Sequence, residues 1–275
     1  MKQKIILSLF FATVFAISCK KYERVITLIH LPPLNDTATV LLKDIVREHL
    51  PAPYYHFVYD NNKYVTEISF ASNLDVYRLQ YDNKRLKRML NINNNNHLEY
   101  TYNGNIVSLI TEFSGITEQK RYEVFFDYNV NRQLRQVNWF RFINNGTVRK
   151  PYRKVLLTYN TDGNLHSLDD FFTDTTGELV LNTHKLYQDY DNGINVEDFS
   201  LLKNFFEPLL YLPSIRLQKN NPGTEIITEA DNDFRVTYHY QYINGLPVVQ
   251  SGTMTQTRGT NSGQSFDFFS SYNYY

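Results

Sequence analysis

The sequence predicts an all-β fold, mainly antiparallel, and three observations support that prediction. First, 22 tyrosines and 19 phenylalanines in 275 residues suit half-buried strands, because the ring packs while a hydroxyl stays in water. Second, five of the 11 glycines follow Asn or Asp, a pair that tolerates the positive φ angles of tight hairpin turns. Third, apolar and polar residues alternate after the turns. We expect a curved meander sheet or partly closed barrel built from consecutive hairpins. The five pairs are Asn103-Gly104, Asn145-Gly146, Asp162-Gly163, Asn192-Gly193 and Asn244-Gly245.

A degenerate unit recurs around these turns: an aromatic strand end, a polar turn and an alternating strand. One copy is the run Phe-Val-Tyr-Asp-Asn-Asn at residues 57–62, which leads into Val65, Ile68 and Phe70. The tyrosines of successive units are 22, 21, 26, 31 and 31 residues apart, which leaves room for two strands and two turns. Each unit is therefore predicted to form one hairpin. The tyrosines are Tyr59, Tyr81, Tyr102, Tyr128, Tyr159 and Tyr190.

Two segments break this pattern and are predicted to form short covering helices. In residues 37–50, apolar side chains recur near helical spacing before Pro51 ends the segment. In residues 195–207, Asn195 can cap a second apolar face. Each helix is expected to seal an open end or cover one face of the sheet, because a bare hydrogen-bonding edge invites aggregation.

The N-terminus has the pattern of a secretory signal. Lys2 and Lys4 precede an apolar run at residues 5–15, which is too short to span a bilayer as a stable helix. The run closes with Ala-Ile-Ser-Cys at residues 16–19, which resembles the lipobox of bacterial lipoproteins. In that motif the cysteine becomes the lipidated first residue of the mature chain. Cys19 is the only cysteine, so no internal disulfide competes for it. The alternative is that Cys19 is incidental and an ordinary signal peptidase cuts nearby.

The predicted organisation is a signal peptide at residues 1–18, a lipidated tether at residues 19–35 and a single β-rich domain at residues 36–275. The predicted partner is the lipid bilayer of the outer membrane, held through the lipid on Cys19, since each buried methylene contributes about 0.8 kcal/mol. The residues after Cys19 lack the acidic cluster that resembles a surface-export signal, which favours the periplasmic face. Without residues 1–18, the chain has 26 basic and 28 acidic residues, so no nucleic-acid partner is predicted.

A search for catalytic and metal-binding motifs finds little. The seven histidines are never spaced as i, i+2 or i, i+4, so no single element presents two imidazoles to a metal. The sequence also lacks a G-x-S-x-G elbow and a phosphate-binding glycine loop. Asn160, Asp162 and Asn164 look like the start of a calcium loop, but hairpin-turn chemistry explains them as well. We therefore predict no catalytic residue, no metal and no cofactor.

Two features leave a binding or hydrolytic role open. Trp139, the only tryptophan, is the first candidate for a ligand surface, where its ring could stack on a sugar, and a core position is the alternative. Several carboxylates could form a glycosidase pair, although solvated strand faces are the simpler interpretation. These carboxylates are Glu67, Glu112, Glu123, Asp169 and Asp170.

The chain resembles an uncharacterised family of Bacteroidota lipoproteins. The resemblance is carried by the lipobox, by the Tyr-Asp-Asn hairpin units and by the segments at residues 212–222 and 242–247. The resemblance covers most of residues 50–250. It implies a porin-like, barrel-like β fold, no assigned activity and no catalytic residues. The hairpin units also resemble, more loosely, the tyrosine-aspartate repeats of Rhs-type shell proteins.

Three functions remain as hypotheses. The first is a non-catalytic envelope lipoprotein that acts as an interaction or ligand-binding module, with an envelope protein among its partners. The second is a glycan-binding accessory lipoprotein, and the third is a hydrolase with dispersed carboxylates. A membrane-spanning barrel is disfavoured, because charges such as Glu67, Lys87 and Arg135 interrupt otherwise apolar strands.

Overall fold

The computed structural model describes residues 40–197, 210–213 and 215–275, which form sixteen β-strands and contain no helix. Each strand pairs with the next along the chain, and β1 pairs antiparallel with β16 to close a barrel. The prediction of an all-β antiparallel fold is confirmed. The sheet forms a closed barrel, however, and not the predicted curved meander sheet or partly closed barrel. The strands are β1 (Leu42–Arg47), β2 (Tyr55–Tyr59), β3 (Val65–Phe70), β4 (Asp75–Asp82), β5 (Arg85–Asn91), β6 (His97–Asn103), β7 (Ile106–Phe113), β8 (Lys120–Tyr128), β9 (Leu134–Ile143), β10 (Val148–Tyr159), β11 (Leu165–Thr173), β12 (Leu179–Gln188), β13 (Thr224–Glu229), β14 (Asp233–Ile243), β15 (Leu246–Arg258) and β16 (Ser265–Tyr274).

Most of the predicted hairpin turns are present. At Asn244-Gly245 both residues have positive φ (51° and 77°), the pattern of a type I′ turn between β14 and β15. Asn192-Gly193 is not a hairpin turn, because it lies in the long connection between β12 and β13. The unit at Tyr81 also forms its predicted turn, without a glycine: Asn83 and Lys84 take φ of 47° and 65° between β4 and β5. The other confirmed turns lie at Asn103-Gly104, Asn145-Gly146 and Asp162-Gly163.

The predicted helix at residues 37–50 is wrong over its described part, because Leu42–Arg47 form strand β1. Ile45 pairs with Tyr272 of β16 on one side and with Tyr55 of β2 on the other. Without β1, strands β2 and β16 would each leave a bare edge, and pairing with both edges outweighs a local helical pattern. Ile45 is 0% exposed, so the strand also contributes to the core.

The second predicted helix, at residues 195–207, falls mostly outside the described residues. Its described start, residues 195–197, is not helical. The Asn195 side-chain oxygen nevertheless accepts the N–H of Glu197 at 2.8 Å, which is the hydrogen bond that the predicted cap requires.

Alternate apolar residues of the strands form one core inside the barrel. Because the sheet closes on itself, the buried side of each strand is the inner side. The core extends to the connection between β12 and β13, where Leu210, Leu212 and Leu217 are buried in the same cluster. The Tyr100 hydroxyl donates to the backbone oxygen of Tyr211 at 3.0 Å and thereby binds this connection to β6.

Tyrosines mark one rim of the barrel, because all eight even-numbered strands have one at or beside their C-terminal end. Five of these hydroxyls, and that of Tyr190 two residues after β12, donate to a backbone oxygen at or next to the first residue of the preceding strand of the pair. Each bond therefore ties the two strands of one hairpin together at the same rim. We call these six residues the rim tyrosines. The bonds run from Tyr59 to Leu42 (2.9 Å), Tyr102 to Leu86 (2.9 Å), Tyr128 to Val107 (2.7 Å), Tyr159 to Leu134 (2.8 Å), Tyr190 to Leu165 (2.6 Å) and Tyr274 to Pro247 (2.6 Å).

Among the described residues, no helix is long and apolar enough to cross a membrane.

Candidate functional site

A cavity of about 420 Å³ lies inside the barrel where the first and last strands meet. Its walls come from β1 to β3, from β12 to β16 and from the connection between β12 and β13. The side chains of Arg47 and Lys185 line it and keep 32% and 33% of their surface exposed, so solvent reaches the cavity. Its volume falls at the lower end of the range of about 300–1,000 Å³ found for small-molecule sites.

A row of tyrosines on β14 forms one side of the cavity region. Tyr238, Tyr240 and Tyr242 are two residues apart, so their side chains point to the same face of the strand. Their ring centroids are 6.3 Å apart at both steps. Tyr238 and Tyr240 line the cavity together with Tyr187 and Tyr272. The alternation that predicts strands therefore also places a series of hydroxyl-bearing rings on the inner face.

The first charged pair of the cavity joins β12 to β13. Lys185 Nζ lies 2.9 Å from Glu225 Oε1, and the Tyr238 hydroxyl donates to Glu225 Oε2 at 2.5 Å. Burial opposes ionisation of Glu225, but the ammonium of Lys185 and the tyrosine hydroxyl outweigh it and lower the pKa of the carboxyl. Glu225 is therefore a carboxylate at neutral pH.

The second charged pair joins β1 to the connection between β12 and β13. Arg47 Nη2 lies 2.7 Å from Glu197 Oε2, and the Tyr272 hydroxyl donates to Glu197 Oε1 at 2.5 Å. The Arg47 guanidinium also lies 4.8 Å from the ring centre of Tyr54, within the distance of a cation–π contact. The lining residues thus include two cations and two carboxylates, and each cation is paired with a carboxylate.

Amide side chains fill much of the remaining polar surface. Gln250 Nε2 donates to the Tyr240 hydroxyl at 3.0 Å across the β14–β15 pair. Gln218 Nε2 donates to the Tyr190 hydroxyl at 3.2 Å, and Asn195 Nδ2 donates to Gln218 Oε1 at 3.3 Å. The last two bonds join parts of the connection between β12 and β13 to each other. The Tyr190 hydroxyl in turn donates to the backbone oxygen of Leu165 on β11 at 2.6 Å, which holds this wall of the cavity against the strands.

The buried hydroxyl of Tyr187 in the cavity wall lies beside the Glu225 carboxylate, and Tyr187 is 3% exposed. Burial, together with the interaction with Glu225, raises the pKa of Tyr187 well above its usual value. The hydroxyl is therefore protonated at neutral pH and adds to the polar groups that stabilise the Glu225 carboxylate.

The carboxylates considered from sequence do not line this cavity. Each instead contacts a cation or a histidine: Glu67 with Arg78 (3.5 Å), Glu112 with Arg121 (2.9 Å), Glu123 with Lys120 (2.8 Å) and Arg149 (3.1 Å), Asp169 with His184 (2.5 Å), and Asp170 with Arg153 (2.7 Å). The acids that do converge, Glu197 and Glu225, have no local sequence signal. Their partners lie 150 and 40 residues away.

The other residues considered from sequence have structural partners. Trp139 is 2% exposed, with the Arg153 guanidinium 4.8 Å from its ring centre, so its burial supports the core interpretation. In the turn at residues 160–164, which only resembles the start of a calcium loop, Asp162 Oδ1 accepts the N–H of Asn164 at 2.8 Å, and Asn164 Oδ1 accepts the N–H of Lys219 at 2.9 Å. Within the described ranges, no group of three or more metal-binding side chains forms. Cys19 lies outside them.

Together, the fold and the cavity define a closed, hairpin-built β-barrel with a polar internal pocket. Two solved structures share this fold. A porin-like protein from Bacteroides uniformis is 14% identical, with a TM-score of 0.56, and the match covers 86% of this chain and 95% of that one. A porin-like protein from Bacteroides vulgatus is 12% identical, with a TM-score of 0.57, and the match covers 86% and 99%. At these identities the similarity shows the fold alone. No protein-family model and no curated protein matches the sequence.

Proposed function

We propose that this protein is a non-catalytic, lipid-anchored envelope protein whose barrel binds a small polar ligand in the cavity between β12 and β3. The observation that carries the proposal is the cavity itself, in which tyrosines, amides and two ion pairs from distant parts of the chain face one space. Concave sites with a few convergent polar groups are the usual form of ligand pockets.

The state of the cavity carboxylates supports binding rather than hydrolysis. A glycosidase needs one carboxylic acid whose pKa is raised so that it can protonate the leaving group. Glu225 has a lowered pKa and is held by Lys185 and Tyr238, so it cannot serve as that acid at neutral pH. Glu197 is likewise paired with Arg47.

The distribution of charge supports a tethered barrel rather than a spanning one. Outer-membrane barrels present an apolar band about 25 Å tall to lipid and enclose a polar interior. Here the apolar core is inside, while Arg78 and Glu99 lie within β4 and β6 with side chains 63% and 56% exposed. The membrane attachment that we propose is therefore the lipid on Cys19, at the periplasmic face of the outer membrane.

Fluorine NMR tests the ligand-binding function directly. The protein is labelled with 3-fluorotyrosine, and the signals of Tyr238 and Tyr240 are assigned by single substitution to Phe. A library of small anionic, cationic, neutral polar and apolar compounds is then added. We expect a compound that shifts these two signals and leaves that of Tyr128, a rim tyrosine on β8, unchanged. If no compound of any class shifts the cavity signals, the proposed function is wrong.

A further inference from the structure

We propose that the ligand of this cavity is a neutral saccharide of roughly one or two rings, an inference that rests on the proposed ligand-binding function. Three features of the lining favour this ligand class: its paired charges, its polar side chains and its tyrosine rings.

The ion pairs of the lining favour an uncharged ligand. Glu225 is 6% exposed, and its ammonium partner lies 2.9 Å away. An anionic ligand that bound Lys185 or Arg47 would compete with the carboxylate that is paired with that cation. A cationic ligand that bound Glu225 or Glu197 would likewise compete with the paired ammonium or guanidinium. Breaking a buried pair in this way is strongly unfavourable. A neutral ligand leaves both pairs intact.

The polar atoms of the lining disfavour an apolar ligand. A fatty acyl chain would remove water from the amide of Gln250 and from the tyrosine hydroxyls of the lining without replacing the lost hydrogen bonds, which carries a desolvation cost. Sugar hydroxyls both donate and accept, so they suit an amide and a tyrosine hydroxyl equally well. Gln250 already orients the Tyr240 hydroxyl, which gives a ligand a fixed pair of groups to bind.

The tyrosine walls suit a molecule that alternates hydroxyl groups with C–H surfaces. Tyrosine supplies a wide, stiff contact with a polar end at low cost in side-chain entropy. Tyr238 and Tyr240 provide two such surfaces side by side, with ring centres 6.3 Å apart. The volume of about 420 Å³ limits the ligand to a small saccharide or to the end of a longer glycan.

Isothermal titration calorimetry of the full barrel tests the ligand class. The probes are glucose, galactose, mannose, xylose, lactose and maltose, with glucuronate, glucosamine and laurate as charged and apolar comparisons. We expect one of the neutral sugars to bind and Gln250→Ala to weaken it by about tenfold. Gln241→Ala, an exposed position on β14, is the matched control and should leave the affinity unchanged. Circular dichroism confirms that both variants are folded.

Three results would overturn the saccharide assignment. If glucuronate, glucosamine or laurate binds more tightly than every neutral sugar, the ligand is not a neutral saccharide, although the cavity is still a binding site. If no neutral sugar binds at concentrations up to the order of 10 mM, the saccharide assignment is also wrong. The ligand-binding function is then decided separately by the fluorine NMR experiment with the broader library. A sugar whose affinity is unchanged in both Gln250→Ala and Tyr240→Phe binds elsewhere and counts against the inference.

Discussion

The Lys185–Glu225 pair gives the sharpest test of the cavity's electrostatics, through the substitution Lys185→Met. Removing one member of a buried pair costs about 3–5 kcal/mol. Lys185 keeps 33% of its side chain exposed, and Tyr238 continues to donate to Glu225, so the expected loss in free energy of unfolding is smaller, about 2–3 kcal/mol.

The pH dependence of this loss identifies its cause. In the wild type the pKa of Glu225 lies below its ordinary value of 4.5, so its stabilising contribution is present above that value and is lost as the pH falls. In Lys185→Met, burial is opposed only by the tyrosine hydroxyls, so the pKa of Glu225 rises relative to the wild type, and the carboxylate contributes less stability as the pH rises. The difference between the two proteins should therefore be large near about pH 7.5 and shrink near about pH 4.

Urea denaturation followed by the fluorescence of Trp139 measures this difference, because Trp139 is the only tryptophan and is 2% exposed. Lys87→Met, at an exposed position on β5, is the matched control and should change stability by less than about 0.5 kcal/mol. The double variant Lys185→Met/Glu225→Gln should recover part of the loss, because it leaves no buried unpaired charge. A loss of equal size at both pH values would refute the reasoning.

Three further predictions concern other parts of the molecule. Tyr128→Phe removes a rim hydrogen bond and should lower the free energy of unfolding by about 1 kcal/mol, measured by urea denaturation; an unchanged midpoint would show that the bond adds nothing. Asp170→Ala removes the carboxylate that lies 2.7 Å from the buried Arg153 guanidinium and should cost about 3 kcal/mol, whereas Asp127→Ala, at an exposed pair, should cost less than about 1 kcal/mol; similar losses would contradict this. Cys19→Ala should abolish palmitate labelling and detergent partitioning, and a variant that still takes up palmitate would place the anchor elsewhere.

The hairpins could be predicted from sequence because their signals are local. The Asn-Gly and Asp-Gly pairs and the tyrosine spacing describe contacts between neighbouring strands, and two strands occupy each interval between the unit tyrosines. The closure could not be predicted in the same way. Ile45 pairs with Tyr272, which is more than 200 residues away, and the same apolar run fits a helical spacing when it is considered alone.

The cavity was harder to predict from sequence than the closure of the barrel, because none of its residues belongs to a recognisable local motif. Glu225 occupies an inner position of a short strand, and Arg47 lies in a segment that was predicted to be helical. Their roles arise only when closure brings β1 beside β16 and the connection between β12 and β13 folds against them. Five of the six unit tyrosines lie at strand ends as predicted, whereas Tyr190 lies in the connection after β12, and the backbone oxygens that most of them bind carry no sequence signature.

The rim tyrosines make each hairpin a self-contained building block. Because the hydroxyl of one strand bonds to the backbone of its own hairpin partner, the bond does not depend on how many hairpins the barrel contains. Insertion or removal of one complete tied pair, such as β5 with β6, would leave the other ties in place and would change the circumference. The size of the enclosed space therefore depends on the number of tied pairs, whereas the seam depends on the single pairing of β1 with β16.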